Sequence, residues 1–376
     1  MARHRSRVST FTTVSLLLLS LAPLQGLAAV AAPPALRPTV LWSHPLKKIR
    51  SLGRGLYQFT QPVLHNGALY VGSATGGVFA LTTEGNPMWT TMTEGPVYAP
   101  VTIQNDTLYA ADSEGVVYAL DLAHGGKQWQ TTVGGEIMSR PLVVEHLLYV
   151  VTTAGELIAL DRNTGVPRWH TGERLTIAEF AVRGAADPIF HQGHIVVGYA
   201  DGRLTAHNPN TGDIVWEERI ARPTAPLHDV DATPYPMGGQ LIAASIGNGL
   251  AAVDGHSGHL MWFEPIGSPY SEAMADDTIF VAGGGTVYAL NPKTGGTKWK
   301  QALPNISETS SPVVVGDTIV VCATEGPVFL LDRKSGAILG AQSIGKGTYG
   351  RPLADGDRVY VATNGHRVVA LQIPSH

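Results

Sequence analysis

Residues 116–129 read VVYALDLAHGGKQW and residues 157–169 read LIALDRNTGVPRW. In both, an apolar run passes through Ala and an acid into a Gly-containing turn, and ends on Trp129 or Trp169. The pattern returns as LTAHNPNTGDIVW (204–216), LAAVDGHSGHLMW (250–262) and VYALNPKTGGTKW (287–299). VFALTTEGNPMW (78–89) is one residue shorter, and VFLLDRKSGAILG (328–340) has Gly340 where Trp belongs. All seven tryptophans, Trp42, Trp89, Trp129, Trp169, Trp216, Trp262 and Trp299, fall in this one slot. Self-similarity at a fixed period is the signature of a repeat architecture.

Working upstream within each unit, an alternating run such as DTLYAADSEG or GHIVVGYADG has the period of two of a half-buried strand. Before it lies a shorter strand opening on Pro62, Pro100, Pro141, Pro188, Pro234, Pro312 or Pro352, with Ala273 as the exception. With the strand that ends in Trp, the unit holds four short strands joined by Gly, Asn, Asp and Ser turns, and repeats every 42 residues or so. Four strands in a repeat of this size predict a propeller blade. The last unit stops after three strands, and the segment PTVLWSHP around Trp42 is an orphan fourth. Donating it to the last unit removes two open edges. The expectation is an all-β, eight-bladed propeller of four-stranded antiparallel blades over 32–376, its ring closed by the N-terminal strand.

The chain begins MARHRSR, followed by an apolar run broken by Pro23 and Gln25 and then by Ala29-Val30-Ala31. A basic head, a short apolar stretch and an A-x-A site read as a secretory signal peptide, 1–31. Its cleavage would remove Arg3, Arg5 and Arg7 and leave 23 basic against 30 acidic residues, a net of −7. That balance speaks against a nucleic-acid or anionic-lipid surface. Cys322 is the single cysteine, so an exported chain has no internal disulfide and no cysteine at the cleavage site to carry a lipid. Within TIVVCATEG it reads as a small buried apolar residue. The expected location is periplasmic, peripheral to the outer membrane at most, and the expected state is a monomer.

Signals for chemistry are weak. One Trp per blade at a fixed slot is what packing one sheet on the next requires, rather than a stacking box for ligands. His256 and His259 sit in the turn before a Trp strand, which suits a solvated hairpin better than a metal site. Gly283-Gly284-Gly285 opens no helix, so it is no phosphate cradle. No metal and no cofactor are expected.

The pattern Ala-x-Asp-x-x-Thr-Gly-x-x-x-Trp at 159–169 resembles the tryptophan-docking repeat of the pyrroloquinoline quinone propellers. Dehydrogenases of that kind are longer and use a vicinal disulfide and a calcium site. A quinone-dependent oxidoreductase is therefore the alternative reading, and the resemblance implies the fold alone. More specifically, EFAVRGAADPIF (179–190), DGRLTAHNPNTGDIVWEERI (201–220) and DVDATPYPMGGQLIAASIGNGLAAVDGHSGHLMW (229–262) resemble the BamB family of outer-membrane β-barrel assembly subunits. That resemblance implies a non-enzymatic scaffold whose partner is the periplasmic part of the barrel insertase. By position it implies Phe180, Val182 and Arg183, with Asp229 and Asp231, as partner-binding residues.

Spacing sets the same region apart. From a Trp slot to the next opening Pro or Ala the gap is usually 11 to 13 residues, but it is 20 after Trp42, 19 after Trp169 and 18 after Trp216. Arg183 and Asp229 each stand five residues before their proline in consecutive units. Equivalent slots in adjacent repeats share a face, so the two are expected side by side on an exposed ridge. Two readings stay open for LHDVDATP (227–234): half of a polar docking ridge, or an internal bridge bracing blades four and five. Metal or acid/base chemistry is a third, with no further ligand visible nearby.

Overall fold

In the computed structural model the described residues are 36–46, 57–171, 186–220, 229–230, 232–246, 248–267, 269 and 272–375. The expected signal peptide, 1–31, lies outside them. Regular structure among the described residues is all strand, arranged as eight four-stranded antiparallel sheets in a ring: a β-propeller. The propeller belongs to the unit that runs from Ala35 to His376.

Blade one shows how the repeat folds. After Pro62 comes a three-residue inner strand, Val63–His65, then Ala68–Gly72, Val78–Thr82 and the outer Pro87–Thr91. Asn66 and Gly67, with φ of 47° and 74°, make the first hairpin, a turn that needs left-handed backbone at both positions. Blades two to seven repeat the order within 102–132, 142–170, 189–219, 235–264, 273–302 and 313–343. Blade eight is assembled from Leu353–Asp355, Arg358–Thr363 and Arg367–Gln372, with Thr39–Pro45 paired antiparallel as its outer strand.

One expectation needs correction. The alternating second strands are not half-buried: Ala68–Gly72 and Leu147–Val151 are buried along their whole length. Each blade is sandwiched between two others, so both faces of its middle strands are covered. Leu69 and Val71 pack toward blade eight with Tyr360 and Ala362, whereas Ala68 and Tyr70 pack toward blade two with Leu108 and Ala110. Eight such apolar clusters fill the eight gaps between neighbouring blades.

The tryptophans join the blades. Trp129 Nε1 donates to the Arg162 carbonyl of the next blade at 3.1 Å, and its ring lies against Gly165. Trp42, Trp89, Trp169, Trp262 and Trp299 donate in the same way to Thr83, Leu122, Pro209, Pro292 and Arg333. Trp216 keeps the ring contact, on Gly258, but its buried Nε1 has no acceptor. Gly165 is required twice: its φ is +72°, and a Cβ there would stand 2.5 Å from the Trp129 ring. Gly165→Ala is therefore expected to cost about 1–3 kcal/mol from overpacking, in addition to backbone strain. Gly134→Ala is the matched control, because Gly134 has φ +79° and nothing within 4 Å of its Cβ position. Equal melting temperatures for the two variants would show that the Trp–Gly contact contributes nothing.

Gly340 is explained by the same geometry. In seven blades the Trp pairs across the sheet with an alanine, as in Ala159↔Trp169 and Ala370↔Trp42, but in blade seven Leu330 faces Gly340. A Cβ on Gly340 would collide with the backbone of Leu36, whose N–H donates to the Leu339 carbonyl at 2.9 Å. The missing side chain is the space through which the N-terminal segment reaches blade eight.

Candidate functional site

Because strands alternate in direction, each crossing from an outer strand to the next inner strand shares a face with the turns between second and third strands. The crossing from blade four to blade five is stitched to these turns on both sides. Val230 N–H donates to the Tyr199 carbonyl of blade four at 3.0 Å, and Ile246 N–H of blade five donates to the Asp229 carbonyl at 2.9 Å. Val230 is fully buried in the cluster between the two blades. Gly198 admits it, since a Cβ there would lie 2.5 Å from the Val230 carbonyl oxygen. Val97 meets Gly72 similarly at the crossing from blade one to blade two. The valine of Asp-Val-Asp is thus a wedge that locks a crossing in place.

Of the five partner-binding residues expected from the sequence, Phe180, Val182, Arg183 and Asp231 lie outside the described residues. Asp229 is described, and only 1% of its surface is exposed. A partly exposed Asp229 on a ridge is not what its position gives; it is held inside the crossing while Val230 plugs the core. His256 and His259 are exposed in a hairpin whose Asp254 Oδ1 accepts from the backbone N–H of His256 at 3.1 Å and of Ser257 at 2.8 Å. Among the described residues no group of three or more His, Cys, Asp or Glu is placed to hold a metal. Cys322 is fully buried, and burial pushes its thiol up to about 12.

The same face opens into a central cavity of about 470 Å³. The repeat carries one equivalent slot around the axis, the residue just before each opening Pro or Ala: Gln61, Ala99, Arg140, Asp187, Thr233, Glu272, Ser311 and Arg351. All of these but Ala99 and Glu272 line the cavity. The Arg140 backbone N–H donates to Asp187 Oδ1 at 2.7 Å, its Nε stands 3.7 Å from Asp187 Oδ2, and its Nη2 donates to Gln61 Oε1 at 3.2 Å. Phe59 packs edge-on against Tyr98 with ring centroids 5.9 Å apart, and tilted against Tyr349 at 5.4 Å; all three line the cavity. Glu272, beside the cavity, is 1% exposed and its Oε2 has no hydrogen-bond partner. Burial drives its carboxyl up to about 7, against the pull of the Arg351 charge. Desolvation in turn lowers the Arg351 guanidinium from its usual range. The Trp slot does not point to this ring, although its signal is present in the sequence as the residue just before each opening proline, or before Ala273 in blade six.

Comparison with known proteins agrees with this architecture. The family model described as outer membrane protein assembly factor BamB matches residues 29–131, 99–301 and 283–375. The outer membrane protein assembly factor BamB of Shewanella oneidensis is 25% identical over 314 residues, covering 81% of this chain and 69% of that protein. The chain spans about half the length of the BamB proteins of Moranella endobia, Legionella pneumophila, Pseudomonas aeruginosa and Salmonella typhimurium, which it also matches. Among solved structures, BamB from Moraxella catarrhalis superposes with a TM-score of 0.78 at 23% identity, covering 89% of this chain and 100% of that one. A europium-containing methanol dehydrogenase superposes with a TM-score of 0.71 at 13% identity, covering 89% and 93%. Both likenesses are likenesses of fold. With the family model matched along nearly all of the propeller, the chain belongs to the family of the outer membrane protein assembly factor BamB.

Proposed function

We propose that this chain is a non-enzymatic propeller scaffold of the cell envelope that takes part in outer-membrane protein assembly by docking a protein partner on its crossing face. The observation that carries the reading is family membership along nearly the whole propeller, together with two long crossings on consecutive blades. A rigid ring presenting extended loops is a usual way to build a binding surface. In this reading the chain is exported by cleavage after Ala31 and works in the periplasm. Phe180, Val182, Arg183 and Asp231 make direct contact with the partner, which is the periplasmic part of a barrel insertase. Asp229, being buried, positions the loop that presents them.

The two kinds of residue separate in one experiment. Arg183→Ala and Phe180→Ala are expected to keep the parental melting temperature and to weaken the partner complex, by about 2–5 kcal/mol if the arginine is paired in the interface. Asp229→Ala is expected to lower the melting temperature, since removing a buried polar group costs about 1–3 kcal/mol. Crosslinking from position 183 in cells identifies the partner, and pull-down with the variants measures the loss. Unchanged capture by both Arg183→Ala and Phe180→Ala would sink the reading.

The likeness of fold to a methanol dehydrogenase favours a second reading, a quinone-dependent oxidoreductase. The residues do not fit it well. One cysteine cannot form a vicinal disulfide, and the described residues offer no metal cluster. Titrating pyrroloquinoline quinone with calcium into the purified chain and following quinone absorbance separates the two, because tight binding supports only the second.

A further inference from the structure

The central cavity has a feature that packing does not explain. Arg351 stands in its wall, and among the described residues its guanidinium makes no hydrogen bond and no ion pair within 4.0 Å. The other arginine of the ring, Arg140, is held by Asp187 and Gln61. A guanidinium carries five donors in a planar fork that matches a carboxylate. Solvent reaches these donors in the open cavity, and an incoming carboxylate would replace that water with charge-assisted hydrogen bonds in a partly desolvated wall.

Glu272 does not satisfy it. The two charges influence each other, yet the Glu272 carboxyl is buried with one oxygen unpartnered and does not reach Arg351. Of the other ring members, Arg140 and Asp187 also act on the guanidinium through space, with opposite signs, but they are engaged with each other; Ser311 in blade seven and Gln61 in blade one are neutral. Beside them the aromatic group of Phe59, Tyr98 and Tyr349 provides an apolar wall for whatever stem carries the anion.

We propose that the central cavity is a socket for one carboxylate, received by Arg351, and that its occupant is an acidic side chain of the docked partner. The cavity opens on the face that carries the two long crossings, so a partner seated there could lower one acidic residue into it. This deepens the docking reading and rests on it for the identity of the occupant. The volume of about 470 Å³ is ample for an acidic side chain with its stem and the residues flanking it.

The socket can be tested on the isolated full chain without any partner, so its failure is distinguishable from failure of docking. The probes are a capped Gly-Phe-Glu-Gly peptide, its Gln counterpart and acetate, titrated by NMR or calorimetry. The Glu peptide is expected to bind at least tenfold more tightly than the Gln peptide or acetate. Arg351→Gln is expected to erase that preference, and Arg168→Gln, at an exposed pair with Asp161, to leave it intact. At pH 8, where the Glu272 carboxyl is ionised, Glu272→Gln removes a negative charge that acts on Arg351 and is expected to tighten the Glu peptide several-fold, a gain that a merely unfolded or loosened ring would not produce. Equal binding of the Glu and Gln peptides, or an Arg351→Gln variant that still prefers Glu, would overturn the socket. Acetate binding as tightly as the Glu peptide would assign the cavity to a free small carboxylate and overturn the assignment to a partner side chain.

Discussion

Deleting Thr39–His44 is expected to destabilise the propeller by several kcal/mol and to leave the outer edge of blade eight open. The strand is engaged on three sides at once. It pairs with Arg367–Gln372 of blade eight, in a register that sets Thr39 opposite Gln372 and Trp42 opposite Ala370. Trp42 donates to the Thr83 carbonyl of blade one at 2.9 Å, covers Gly85 and lies 6.0 Å from the Tyr360 ring. Just before it, Leu36 is hydrogen-bonded to blade seven, and just after it Leu46 is fully buried between blades eight and one. Trp42 is half-buried, so its truncation costs less than the about 3–5 kcal/mol of a fully buried aromatic, and the lost strand pairing and the loosening of Leu46 add to it. The deletion also strips pairing from a strand whose unpaired backbone would then invite association. Melting temperature and oligomeric state measure both effects. A deletion variant that melts within a degree or two of the parent and stays monodisperse would show that the ring does not depend on this strand.

Glu272→Gln is expected to stabilise the protein, increasingly as pH rises from about 4.5 and fully above pH 7. In the folded chain burial raises the carboxyl from 4.5 to about 7, so the folded state binds the proton more tightly than the unfolded state does. Between those values the native protein carries protons that the unfolded chain has released, and stability falls as pH rises. The cost is absent near pH 4, grows through the interval and is complete above pH 7. A shift of this size corresponds to about 3 kcal/mol. Glutamine has the shape of the protonated acid and no charge to desolvate. The variant and the parent are therefore expected to unfold alike at pH 4.5 and to diverge by about that amount at pH 8. Denaturant titrations at the two pH values decide it: a gain of the same size at both would mean that the carboxyl does not titrate in this interval.

Much of this molecule was legible before any coordinates. Seven tryptophans in one slot, a near-constant period and an incomplete last unit with an orphan strand at the other end lead to eight four-stranded blades. Such patterns are readable because a propeller blade is a local structure: its strands are consecutive in the chain, its turns demand Gly and Asn where φ is positive, and its tryptophan recurs at every joint. Alternation in the middle strands reports two different faces, not one wet and one dry. Only the flanking blades decide that both faces are buried, as they are for Ala68–Gly72.

The candidate site divides along the same line. The long crossings and their Asp-Val-Asp were visible as gaps in the spacing, but Val230 as a wedge and Asp229 as a buried residue depend on Gly198 and Ile246, which belong to two different sheets. In the sequence Gly340 is only a missing tryptophan; its reason is Leu36, more than three hundred residues away, whose backbone fills the space. The ring of Arg140, Asp187, Glu272 and Arg351 is spread over four blades, each residue unremarkable in its own repeat. By itself the sequence determined the repeat, the blade count and the family resemblance, because each rests on contacts within a blade or on residues close in the chain. Tertiary structure alone decided which charges meet in the cavity and which arginine stays unmatched, because closing a ring brings together side chains that no local pattern couples, and burial then sets their charge.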